Sequence, residues 1–232
     1  MIKFLGLESG FGDYHTNAFF KTDKSLVYID LSGTSMKKAK RLLEENLDKE
    51  IFMLVTHLHA DHISGIPIFI QTAFYVYHKT INFVIPTNIK DDFKNYLKIT
   101  GINPSIYNVN YVDDLKEVSF VDFKVTPIST FHCEELINKC FGYLIEVNER
   151  KYLYTGDTAI LGPFKPFLNN LESLYIDTSV DYGKVHLRLD EILDYFGDSP
   201  SFNIYLMHLD NVGKAFSIIK DKKNYFLGEV ID

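Results

Sequence analysis

A chain of 232 residues, 46% hydrophobic and 15% aromatic, is long enough to bury one core and too apolar to stay disordered, so a single domain over residues 1–232 is expected. Its formal net charge of −7, carried without any lysine- or arginine-rich run, excludes the electrostatic footprint that gripping long nucleic acid requires. No apolar run approaches the roughly 18 residues of a spanning helix, and the opening MIKFLGLESGFG lacks a signal-like apolar core, which predicts a cytoplasmic, membrane-free protein with Cys133 and Cys140 reduced.

The chain begins with short β-like runs: IKFLGL, a glycine-containing loop ESGFGDYHTN, then AFFKT and SLVYIDLSG, whose TDKS junction reads as a hairpin. Over 35–47, Met36, Ala39, Leu42, Leu43 and Leu47 recur at helical spacing among lysine, arginine and glutamate, predicting an amphipathic helix on the outside of a sheet. The run IFMLV is apolar on both faces, as a strand inside a layered sheet must be. A helix is expected over 65–72, a strand at FYVYH, and a helix over 90–100 that stops at Gly101 and Pro104. Strands follow near SFVDFKVTPIST, FGYLIEV and KYLYTG, the last two joined across NER. The final third alternates strand (SLYIDTS), helix (LRLDEILDYF), strand (FNIYLMH), helix (VGKAFSIIKD) and strand (NYFLGEV), with no linker or low-complexity segment.

Residues 56–65, THLHADHISG, place three of the eight histidines and an aspartate within six residues, directly after a buried strand. Imidazole and carboxylate are zinc donors at about 2.0–2.2 Å, and a catalytic ion keeps a position open for water. In an extended loop His57 and His59 share a face, while Asp61 and His62, beyond a bend, can turn toward a second ion. Later strands end on the same residue types: His132 after KVTPIST, Asp157 after KYLYTG and His208 after NIYLM. The ends of four strands would thus deliver five imidazoles and two carboxylates to one edge of the fold, more donors than one tetrahedral ion uses.

The H-x-H-x-D-H of His57, His59, Asp61 and His62, then His132, then TGDT over 155–158, then LMH ending in His208, resemble the ordered motifs of the metallo-β-lactamase fold hydrolases. The N-terminal NAFFKTDKSLVYIDLSG fits the same pattern, so the resemblance spans nearly the whole chain. It implies an α/β fold, an αββα sandwich of two mixed sheets flanked by helices, with the site at one edge. Carried onto this chain, it implies a first Zn2+ held by His57, His59 and His132, a second held by Asp61, His62 and His208, and Asp157 bridging them, with Mn2+ or Fe2+ as substitutes. A second site with Asp61, rather than the cysteine that true lactamases carry in theirs, and the TGDT form resemble the phosphodiesterase side of the superfamily, including ribonuclease Z. His186, in VHLRLDEIL, falls where ribonuclease Z-like enzymes place a proton donor to the leaving group; read alone, it is a surface residue at a helix N-terminus. No Gly/Pro/Lys-rich insertion corresponds to a tRNA-gripping arm.

The resemblance therefore implies a dinuclear zinc phosphodiesterase for a small phosphodiester, a cyclic nucleotide foremost, with a hydroxide shared by two ions, oriented by Asp61 and Asp157, and His186 as the acid. Hydrolysis of a carboxylic ester, thioester or lactone, tRNA 3′-end cleavage, and a non-catalytic metal-binding module are the alternatives. Exposed-looking aromatics in QTAFYVYH are compatible with a homodimer. His15 and His78 read as ordinary residues of a loop and a strand end, and Asp30 equally as a turn residue or as a carboxylate orienting an imidazole. Cys133 could ligate a soft metal but is not needed beside seven harder donors. The many Tyr and Phe residues read chiefly as core, although a ring near the site could stack on a base.

Overall fold

A computed structural model describes residues 2–232. Six strands form one sheet in chain order: β1 (Lys3–Gly6), β2 (Asn17–Lys21), β3 (Ser25–Ile29), β4 (Glu50–Leu54), β5 (Ile81–Pro86) and β6 (Tyr107–Val112). β1 to β3 pair antiparallel and β3 to β6 parallel. The second sheet holds β7 (Val118–Ser119), β8 (Lys124–Thr130), β9 (Cys140–Val147), β10 (Arg150–Tyr154), β11 (Leu171–Asp177), β12 (Asn203–Met207) and β13 (Tyr225–Leu227). It repeats the scheme, antiparallel from β7 to β10 and parallel from β10 to β13. Helices α1 (Met36–Glu44), α2 (Ala60–Ile63), α3 (Ile66–Gln71), α4 (Lys90–Ile99), α5 (Leu189–Phe196) and α6 (Val212–Ile219) connect the strands. Among the described residues no helix is long and apolar enough to cross a membrane.

The two-sided apolar pattern of β4 explains the layering. Phe52 and Leu54 pack into the core shared with the second sheet, beside Tyr143, Leu153 and Tyr175, whereas Ile51 and Met53 pack outward against Leu42 and Leu43 of α1 and Phe69 of α3. Leu189 and Ile192 of α5 and Ala215 and Ile219 of α6 cover the second sheet in turn. The result is the expected αββα sandwich, with every layer held by burial of alternate strand residues. Because β8 and β10 both run antiparallel to β9, their C-terminal ends lie at the same edge as those of β11 and β12. Loops leaving that edge carry the site.

Two local expectations fail. FYVYH is not a strand: Thr72–Val76 prolongs α3 as a π-helical turn, burying Ala73 and leaving Tyr75 and Val76 exposed, and the strand is β5. Aromatic and β-branched composition suggested a strand, but the preceding helix carries its direction through. His78 accordingly follows a helical turn, at a φ of +54°, rather than ending a strand. β6 drew no expectation although it alternates asparagine with half-buried residues; it is an edge strand, and Asn108 on its exposed face donates to Asn82 at 2.9 Å.

Candidate metal centre

β4 hands the chain to His57, whose ring is fully buried, and His59 caps α2 from an extended conformation, so that the helical turn presents Asp61 and His62. The His57 ring lies 4.7 Å from that of His59 and 4.1 Å from that of His62. His132 follows β8, Asp157 follows β10 and His208 follows β12. His57, His59, His132 and Asp157 bring one donor atom each within 4.8 Å of one another, as do Asp61, His62, Asp157 and His208, and either set could hold a metal ion. Asp157 is common to both. Its Oδ2 lies 3.8 Å from His57 Nε2, 3.9 Å from His132 Nε2, 3.4 Å from His62 Nε2 and 3.3 Å from His208 Nε2. Gly156 permits that approach: at φ +60° a Cβ there would meet the Phe141 carbonyl oxygen at 2.5 Å.

Hydrogen bonds on the far side of three rings, those of His57, His62 and His132, fix which nitrogen faces inward. Asp30, buried and at φ +58°, accepts from Thr56 N at 2.8 Å, Thr56 Oγ1 at 2.6 Å and His62 Nδ1 at 2.8 Å. The Thr56 hydroxyl spends its one proton on Asp30, so it accepts from His57 Nδ1 at 3.0 Å. His132 Nδ1 donates to the Val185 carbonyl at 2.8 Å. These three rings therefore turn Nε2 inward, and the buried Nε2 atoms of His57 and His62 have no hydrogen-bond partner. Orphaned acceptors around a shared carboxylate are what a bound cation would satisfy. Asp30 thus orients an imidazole rather than serving only as a turn residue.

Electrostatics make the same demand. Burial drives His57 well below the usual histidine range, with the charge of His62 adding to it, and burial followed by His132 lowers His59. Neutral imidazole is the form that ligates. In His62 and His208 burial pushes downward too, yet Asp157 and the neighbouring carboxylates outweigh it, raising His62 well above its usual range and His208 to about 10. Asp61 and Asp157 stay below the usual carboxylate range, because His208 and His62 overcome the effect of burial. The cluster's carboxylates call for positive charge, and divalent ions would supply it.

A third group, Asp177, His186 and His208, adjoins the first two. Asp177 closes β11 fully buried; its Oδ2 accepts from His186 Nδ1 at 2.8 Å and Thr158 N at 2.8 Å. Its Oδ1 has no hydrogen-bond partner and lies 3.5 Å from His208 Nδ1. Burial lowers His186, but the charge and hydrogen bond of Asp177 reverse this and leave it raised. His186 reaches the cluster, its ring centroid 4.8 Å from that of His132 and 4.7 Å from that of His208, so it is not a free surface residue. His15, His78 and Cys133 join none of these groups, and both cysteines are free.

Sequence reasoning passed over Asp177, although like Asp157 it follows a buried apolar run at the same sheet edge. It also missed Asn17, whose side chain donates to the Asp61 carbonyl at 3.2 Å and accepts from Ser32 N at 2.9 Å, tying the α2 turn to β2 and to the loop after β3. Asp210 likewise gave no signal, since its role is to accept from backbone groups of a distant loop. The centre opens into a cavity of about 300 Å³ lined by His59, Asp61, His132, Asp157, His186 and His208.

Comparison with known proteins fits this geometry. The chain is 22% identical to the anti-Pycsar protein Apyc1 of Bacillus phage 010DV004, across 88% of this chain and 86% of that one. It is 23% identical to the protein of the same name from Bacillus phage BSP38, across 93% and 91%. Among solved structures, the metallo-β-lactamase fold protein YhfI of Bacillus subtilis superposes with a TM-score of 0.75 at 15% identity, covering 99% of this chain and 97% of that one. Human tRNase Z, short form, gives 0.71 at 14%, covering 100% and 97%, and yeast PDE1 gives 0.66 at 12%, covering 100% and 97%. At such identities these structures establish the fold alone, that of the metallo-β-lactamase superfamily. A family model described as anti-Pycsar protein Apyc1 matches residues 1–229, and on that match the chain belongs to the anti-Pycsar protein Apyc1 family.

Proposed function

We propose that this protein is a metal-dependent phosphodiesterase that opens the phosphate ring of a cyclic nucleotide. The observation that carries the reading is the position of Asp157, shared by two donor sets, with His186 beside them on the same cavity. His57, His59 and His132 would hold one ion, Asp61, His62 and His208 a second, and Asp157 both, Zn2+ being the first choice for this imidazole and carboxylate set. Bound there, divalent ions supply the acidity that makes water a nucleophile at neutral pH and the positive charge that a phosphodiester anion meets.

The chain's own residues do the rest. Asp61 and Asp157 orient the attacking water, and the buried rings exclude bulk solvent from one side of it. Asp177 holds Nδ1 of His186, which leaves Nε2 to give its proton to the ribose oxygen as the bond from phosphorus to that oxygen breaks. Water adds to phosphorus, and the product is the linear nucleoside monophosphate. The family's anti-Pycsar description is in keeping with removal of a cyclic nucleotide. A cytoplasmic site of action and a homodimer through the exposed Tyr75 and Val76 surface belong to the same reading.

The test is turnover by purified protein loaded with Zn2+, Mn2+ or Fe2+, offered 3′,5′-cyclic AMP, bis-p-nitrophenyl phosphate and a thioester. The expected result is ring opening of the cyclic nucleotide, lost on chelation and restored by metal. Thioester turnover with both phosphodiesters inert would overturn the reading in favour of a carbonyl hydrolase.

A further inference from the structure

Two large rings stand in solvent beside the metal centre. Phe11 has a relative exposure of 104% and Tyr182 of 76%, yet neither sits on a loose tip. The Phe11 loop is closed by hydrogen bonds from Glu8 N to the Tyr14 carbonyl at 2.9 Å, Gly12 N to the Ser9 carbonyl at 2.9 Å, and Ser9 N to the Leu209 carbonyl at 3.0 Å. Gly10 lets it lie against the centre: a Cβ there would meet Asp61 Oδ2 at 2.8 Å. Tyr182 N is fixed in turn by Ser179 Oγ at 2.9 Å and Asp210 Oδ2 at 2.9 Å. A phenyl ring that a pinned loop holds in water gains free energy only when a flat or apolar group covers it.

Both rings line the metal cavity of about 300 Å³ and also the adjoining cavity of about 440 Å³, so they stand where the two meet. Among the described residues no lysine or arginine lines either cavity, so neither offers a cation to a second phosphate. Of the carboxylates beside the rings, Asp210 and Glu8 are committed to the protein, and Asp13 adds only negative charge to the adjoining cavity. Asp210 accepts from Ser179 Oγ and from the backbone of Val180, Asp181 and Tyr182, and Glu8 accepts from Tyr14 N. What the two rings themselves offer a ligand is flat apolar surface on the same cavity as the proposed metal ligands.

We infer that Phe11 and Tyr182 are substrate-positioning residues that take the nucleobase by stacking at the mouth of the metal cavity. This inference rests on the cyclic-nucleotide reading and names the part of the substrate that these rings hold. A stacked base fixes the ribose phosphate over the centre without hydrogen bonds to the base edges, which every base offers a face to meet.

The test compares kcat and KM for 3′,5′-cyclic AMP with those for the 3′,5′-cyclic phosphate of 1-deoxyribofuranose, which lacks the base. Phe11→Ala and Tyr182→Ala should each lower the ratio of the two kcat/KM values by about 5- to 100-fold, chiefly through KM. Phe11→Trp and Tyr182→Phe should restore it, whereas Phe11→Leu, apolar but without a π face, should not. An unchanged ratio in Phe11→Ala, or a Leu variant equal to the Trp variant, overturns the stacking assignment while the phosphodiesterase reading stands. A metal-loaded wild type that opens neither substrate overturns both.

Discussion

Asp30 and Asp177 hold matching posts at the ends of buried strands, one in each sheet, and use them differently. Asp30 is saturated: two donors from Thr56 and one from His62 pin both of its oxygens within the centre, and through the Thr56 hydroxyl it reaches His57 as well. Asp177 is divided, with Oδ2 holding His186 and the Thr158 amide while Oδ1 faces His208 without a hydrogen bond. The first carboxylate therefore sets the tautomer of proposed metal ligands alone; the second joins a proposed ligand to the proposed acid. The difference teaches that a carboxylate at the end of a buried strand takes its role from the loop it faces.

The largest effect should come from removing what both halves share. Asp157→Ala takes away the carboxylate common to the two donor sets, so metal content should fall below the expected value of about two ions per chain and cyclic-nucleotide turnover should drop to background. Elemental analysis after purification without chelator reads the first and steady-state assay the second. Retention of two ions by the variant would show that the sets do not depend on Asp157, and the symmetry drawn around it would be lost.

Next in size is Asp30→Asn, which tests the saturated half. An amide keeps the shape but can place an N–H against His62 Nδ1, forcing the ring proton onto Nε2, the atom that should ligate. Metal affinity should weaken by about 10- to 100-fold, the usual effect of losing such an orienting carboxylate. A competition titration against a chelator measures it. Turnover at saturating metal should recover, since the acid side is untouched; a permanent loss at any metal concentration would instead mark Asp30 as part of the reaction.

Much of this centre was legible because seven donors of two residue types, carried by four strand ends, came in a motif order. His57, His59, His62, His132 and His208 stand out from apolar runs, and Asp157 is flagged by the glycine before it. Asp177 was not legible because a lone aspartate after SLYI carries no such mark, and its partner His186 is nine residues away in a loop whose course the sequence does not show. The misread FYVYH shows a second limit: Phe, Tyr and Val favour strands only when no helix already carries the chain onward, and Thr72–Val76 is a helical continuation of Ile66–Gln71. β6 was missed although YNVNYV alternates apolar residues with asparagine: at the sheet edge Tyr107, Val109 and Tyr111 are only half-buried, so the run lacks the continuous apolar character that marks the inner strands. Local patterning therefore reported buried strands and their ends, while carboxylates set by tertiary contact required the fold.

The smallest and most discriminating prediction concerns the divided half. In Asp177→Asn the amide oxygen can still accept from His186 Nδ1 and Thr158 N, so geometry survives while the negative charge beside His186 is lost. Ring opening of a cyclic nucleotide, whose ribose alkoxide must be protonated as it leaves, should slow by about tenfold, the low end for an orienting carboxylate. His186→Ala gives the upper bound, roughly 10² or more for loss of the acid itself. Bis-p-nitrophenyl phosphate, which releases p-nitrophenolate without a proton, should be slowed much less in both variants, and both should keep their metal by elemental analysis. This pattern separates Asp177 from Asp30, because a weakened metal centre slows both substrates alike. Equal slowing of the two substrates, or loss of metal from Asp177→Asn, would mean that Oδ1 facing His208 matters more than Oδ2 holding His186, and the two carboxylates would then have one role in common.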